Sequence, residues 1–210
     1  MNHRGYTAIT ATIAGMVLMS ACTGHQSTSD TSSAPPPSST TDAGVPNSGA
    51  PKVDTPLPAK VLDGSPCDNA LTQEQLKSFL GETKAPTPGD ESLGKSCDWR
   101  SASGTGAGFL IGYQTSSDQG ISLAYKNVKP TAARWVDLDP VQSYPAIAFV
   151  EQGVDPTDKR HCGVVVGVSD ELAYTVSLTI GERAASQGKD ACIVGRDIAD
   201  AVMTNLKQRA

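Results

Sequence analysis

Four cysteines, Cys67, Cys97, Cys162 and Cys192, stand in two successive pairs with the same spacing of 30, and no other feature constrains the fold as much. In an exported domain such an even set is a disulfide framework. Four cysteines allow three connectivities, of which the equal intervals favour Cys67–Cys97 with Cys162–Cys192. By the chain-entropy treatment a closed loop of this length contributes around 3 kcal/mol. A zinc site using all four is the competing reading, but structural zinc is held by closely spaced C-x2–4-C pairs, which these positions do not form. No C-x-x-C pair occurs either, so thioredoxin-like exchange is not expected.

Export is expected from the N-terminus. Arg4 precedes an apolar run from Ala8 to Met19, which ends at Ser20-Ala21-Cys22. A run of about a dozen residues diluted by threonines is a signal-peptide core, whereas a membrane span needs about 20 apolar residues. Leu18-Met19-Ser20-Ala21-Cys22 resembles the bacterial lipobox, with Met19 where that pattern prefers leucine. The resemblance implies cleavage before Cys22 and its acylation (diacylglycerol, palmitate). Residues 1–21 are then a lipoprotein signal peptide, and the protein is attached through acylated Cys22 to the extracytoplasmic face of the cell membrane.

Residues 22–60 are dominated by Ser, Thr, Pro, Ala, Gly and Asp, including the run from Ser32 to Thr41, and offer little to bury. They read as a disordered tether. About 40 such residues reach on the order of 35 Å, which lifts a domain off the surface it is anchored to. The formal net charge of −5 supplies no positive field, so nucleic acid is not an expected partner.

Residues 61–210 carry the periodic pattern. Thr72 and Gln75 form a capping box ahead of a short helix stapled by Leu71 and Leu76 and closed by Gly81. Residues 96–100 and 108–114 read as a hairpin around a glycine-rich turn, and Gly120 to Val128 as a second short helix. Trp135–Leu138, Ala146–Val150, Cys162–Val168 and Leu172–Ile180 are strands, the last two joined as the clearest hairpin of the chain. Val194, Ile198, Val202 and Leu206 recur every fourth residue on a C-terminal helix. The expected fold is α+β, an antiparallel sheet covered on one face by the terminal helices, with two disulfides stapling helices to strands.

Pro66-Cys67-x-x-x-Leu71-Thr72, Cys97-x-Trp99, the segment Gly120–Tyr125, Ser143-Tyr144-Pro145-Ala146, Cys162-x-Val164-x-Val166-x-Val168 and Ala191-Cys192 before a helix occur in one order. Together with the lipobox and stalk, this order resembles the actinobacterial lipoprotein family built on domain of unknown function 3558. The likeness covers about residues 60–208, with one extra residue, Asn69 or Ala70, between Cys67 and Leu71-Thr72. It implies a cell-envelope lipoprotein and carries no activity with it.

The residues themselves dictate no reaction. His161 is the one histidine beyond the tether, and the polar run Asp155–Arg160 beside it reads as a loop. No G-x-S-x-G elbow is present. Gly104-x-Gly106-x-Gly108 leads into a strand rather than a helix, so it is a turn and not a phosphate cradle. Asp137 and Asp139 would share a strand face, the arrangement by which two carboxylates hold a cation or share a proton. Trp135 and Tyr144 flank the Asp139-Pro140 turn, so these four residues are the candidate ligand-binding set. No metal site and no cofactor are expected. The expected function is a noncatalytic surface module binding an envelope protein or glycan, with carriage of a small apolar or lipid ligand as the alternative.

Overall fold

The computed structural model describes residues 44–210, and the expected signal peptide, Cys22 and most of the expected tether lie outside them. Seven strands form one antiparallel sheet: β1 (Thr87–Glu91), β2 (Gly94–Arg100), β3 (Gly108–Gln114), β4 (Arg134–Asp137), β5 (Ala146–Val150), β6 (His161–Gly167) and β7 (Ala173–Thr179). Their spatial order is β1-β2-β3-β7-β6-β5-β4. Two meanders, β1 to β3 and β4 to β7, therefore meet at the central β3/β7 pair, where Phe109 stands opposite Leu178 and Ile111 opposite Val176. The chain leaves β3 at the centre and must reach β4 at the far edge. It crosses three strands to do so, and the connection carries the short helix α3 (Ser122–Asn127).

Side chains alternate between the two faces of a strand. On the first face Cys97, Trp99, Phe109, Ile111, Tyr113, Cys162, Val164, Val166, Tyr174, Val176 and Leu178 build the main core. It is covered by α1 (Pro66–Asn69), α2 (Gln73–Leu80) and α5 (Ala191–Lys207). Helix α2 begins as its sequence dictates: Thr72 Oγ1 accepts from Gln75 N at 3.2 Å, and Gln75 Oε1 accepts from Thr72 N at 2.8 Å. Asp190 caps α5 by accepting from Cys192 N at 2.8 Å. Close seating of α5 on the sheet requires Gly195, because a Cβ there would lie 2.8 Å from Leu178 and 2.9 Å from Val164. Tyr174 carries a hydroxyl into this core and satisfies it by donating to Ala199 O at 2.7 Å. Burial holds that phenol well above its ordinary pKa.

The disulfides are Cys67–Cys97 and Cys162–Cys192. The first ties α1 to β2 and the second ties the first turn of α5 to β6. Trp99 lies on the same strand face as Cys97, is 1% exposed, and packs with its ring centroid 5.6 Å from that of Phe109.

Two expectations need correction. The tether was expected to run to residue 60, but residues 44–60 belong to the compact unit. Val53 is buried, its amide donates to Asp170 Oδ1 at 2.9 Å, and Leu57 N donates to Val168 O at 2.9 Å. Two apolar side chains with two backbone anchors suffice to lay a proline-rich strap on the domain. His161, read as a loop residue, is the first residue of β6 and half-buried. In addition to the expected core, the second sheet face carries a smaller one, in which Ile121, Ala124 and Tyr125 around α3 pack with Ile147, Phe149, Val165 and Ala173.

Candidate functional site

Helix α3 and the strap cover only part of the second face, and the uncovered remainder is a groove of about 310 Å³. Pairing across the sheet generates its floor in two rows. One runs Asp98, Leu110, Ser177, Gly163, Phe149, and the other Arg100, Gly108, Thr179, His161. Two glycines make the floor low enough to be a groove. A Cβ on Gly108 would meet Arg100 Cδ at 2.6 Å, and one on Gly163 would meet the tip of the Phe149 ring. Arg100 and Phe149 thus fold over glycine from opposite sides, and Leu110, Ser177 and Thr179 lie between them. Glycine inside a strand marks such close approach.

Arg100 and His161 have carboxylate partners close by, whereas Glu151, which also lines the groove, has no ion pair among the described residues. Arg100 donates through Nε and Nη2 to the two oxygens of Asp98, both at 2.6 Å, a planar bidentate pair on one strand face. At the other side the His161 ring lies 3.3 Å from Asp158 Oδ2 through Nδ1, and Arg160 reaches the same carboxylate at 3.4 Å. The Arg160 backbone N–H is the main cause of a lowered Asp158 pKa, with Arg160 and His161 side chains adding to it. Ser177 and Thr179 keep their hydroxyls uncommitted on the floor, in position to donate to or accept from a ligand. Among the described residues the side-chain partner of the His161 ring is Asp158, and neither hydroxyl is bonded to it.

The residues singled out in the sequence divide between the two faces. Trp135 and Asp137 lie together on the second face of β4, where Trp135 pairs across to Phe149 at the end of the groove row. Trp135 Nε1 and Tyr125 Oη both donate to Asp137 Oδ1 at 3.0 Å. These bonds and Lys129 hold the Asp137 carboxyl below its usual range, the Trp135 bond being the largest cause. Burial and the adjacent carboxylate push the Tyr125 phenol up to about 12. Tyr144 does not join them: it is 4% exposed and packs in the main core on the opposite face. Asp139 is no partner for Asp137, because β4 ends at Asp137 and the alternation that would align them ends with it. Asp98, Arg100, Ser177 and Thr179 were not singled out. The i, i+2 spacing of each pair and the glycines within strands were the available signals.

The chain belongs to the family of proteins of unknown function DUF3558, whose family model matches residues 17–205. No curated protein and no solved structure matches it.

Proposed function

We propose that the protein is a lipid-anchored component of the cell envelope, held through acylated Cys22, and that its domain is a noncatalytic binding module. The ligand is an envelope component or a protein partner, and the groove on the second sheet face receives it. The observation that carries this reading is where the space lies. Between sheet and helices a cleft lined by Phe79, Phe109, Leu178, Ile180, Val194 and Ile198 holds about 120 Å³. A drug-sized ligand needs roughly 300 Å³ or more, which the outer groove offers and this cleft does not. Asp98, Arg100, Glu151, His161 and the hydroxyls of Ser177 and Thr179 stand beside the apolar part of the groove, so it suits a ligand bearing hydroxyl or amide groups better than a bare hydrocarbon chain.

Native mass spectrometry of the protein purified from its own envelope separates this reading from a carrier. The expected spectrum shows the mature acylated chain without a second lipid. A stoichiometric free lipid that survives desalting would overturn the module in favour of the carrier.

A further inference from the structure

Beside the groove, and independent of it, the second face holds an arrangement already occupied by a cation. The Tyr125 and Trp135 rings meet edge to face, with centroids 5.1 Å apart and planes at 77°. They form a corner, and the Lys129 ammonium sits in it, 4.5 Å from the Tyr125 centroid and 5.1 Å from that of Trp135. The Asp137 carboxylate closes the corner 4.0 Å from the same nitrogen. The corner is built before any cation arrives, because Asp137 Oδ1 accepts from both ring systems and fixes their orientation. Tyr125 is further held by α3 and the smaller core, and Trp135 by the β4/β5 ladder.

We propose that this corner is a binding site for a quaternary ammonium group, which the chain's own Lys129 occupies until a ligand displaces it. Two perpendicular aromatic faces and one carboxylate are the chemistry that recognises such a cation. Lys129 shows where a positive charge is accepted. It is a weak occupant for a physical reason: a primary ammonium is compact and strongly hydrated, so entering the corner strips water it binds well. A trimethylammonium group carries the same charge over a larger, weakly hydrated surface, and its methyl groups contact both rings. Lys129 follows the end of α3 and its side chain is 42% exposed, so it can swing into solvent without unfolding anything. The opening is broad as well, since β4 is the edge strand and the Asp137 side chain is 64% exposed.

The probe is choline chloride, titrated into the 15N-labelled full chain against sodium chloride at matched ionic strength. The chain has two tryptophans, and the indole signal of buried Trp99 serves as a fold reference for that of Trp135. Saturable movement of the Trp135 signal alone is expected. Lys129→Gln removes the competitor and should tighten choline binding by about 5- to 30-fold, the range a single cation–π contact spans. In the Lys129→Gln background, Tyr125→Leu should abolish the response. Should the loss of that buried ring disturb the Trp99 signal, Asp137→Asn, which keeps the ring pair, should still weaken binding severalfold. A parallel arm separates a headgroup from a free solute as the source: movement of the Trp135 signal on phosphatidylcholine vesicles beyond that on phosphatidylglycerol vesicles, which take up an acyl anchor equally well, supports the site. If Lys129→Gln responds to neither choline nor phosphatidylcholine, or binds choline no more tightly than wild type does, Lys129 is an ordinary surface contact and the proposal fails. That result would leave the groove reading untouched.

Discussion

Cys22→Ala is expected to transfer the protein completely from the membrane fraction to the soluble extracytoplasmic fraction. A single acyl chain gives only marginal, reversible attachment, and two or more give durable anchoring at about 0.8 kcal/mol per buried methylene. Losing all of them therefore changes the partition by many orders of magnitude. Among the described residues no helix is long and apolar enough to cross a membrane. The check is fractionation with intact mass determination, which should show wild type acylated and pelleted, and the variant unacylated and free. A variant that stays in the pellet with its signal removed would overturn the lipid-anchor reading.

The second large effect concerns the disulfides. Both span 30 residues, so chain entropy assigns each about 3 to 4 kcal/mol by the same argument. Two such terms are comparable with the whole stability of an ordinary domain, about 5 to 15 kcal/mol. Cys162→Ala with Cys192→Ala frees the first turn of α5 from β6 and should lower the urea midpoint by an amount corresponding to about 3 kcal/mol. Cys67→Ala with Cys97→Ala should cost a similar amount, concentrated at the attachment of α1 and α2. That pair of helices is otherwise held by Leu71 and Leu76 in the core and by Asn205 Nδ2 donating to Ala70 O and Gln75 Oε1. With all four cysteines replaced, most of the chain should be unfolded at 37 °C. A fully reduced protein whose midpoint moves by less than about 1 kcal/mol would show that packing alone suffices, contrary to the chain-entropy argument.

Local signals in the sequence carried the elements whose chemistry is local. The Thr72/Gln75 capping box, the β6/β7 hairpin and the four-residue repeat of α5 were legible because each is decided within a few turns of chain. The strand β1 was not, because in Thr87-Pro88-Gly89-Asp90-Glu91 the four residues after Thr87 are all disfavoured in strands, and the segment pairs only as an edge strand against β2. The strap was missed because its composition is that of a linker, while Val53 and Leu57 find their partners at Val168 and Asp170, more than a hundred residues away. The site divided in the same way. Trp135 and Asp137 were in the candidate set but were grouped with Tyr144 and Asp139, because the end of β4 at Asp137 is not legible, and Tyr125 and Lys129 reach them through the α3 crossover, which has no periodic signature. The groove draws on five strands from residue 98 to residue 179, and only the sheet order places Arg100 and His161 on one floor.

The central claim is that the open second face is the working surface, and His161 reports on it directly. It is the one histidine among the described residues, it lines the groove, and its ring is 40% exposed. Diethylpyrocarbonate labelling of His161 should be compared between the protein in its own envelope and the purified protein. Labelling is expected to be severalfold slower in the envelope, with that protection lost when Ser177→Trp fills the groove. Equal labelling of His161 in both settings would contradict that claim.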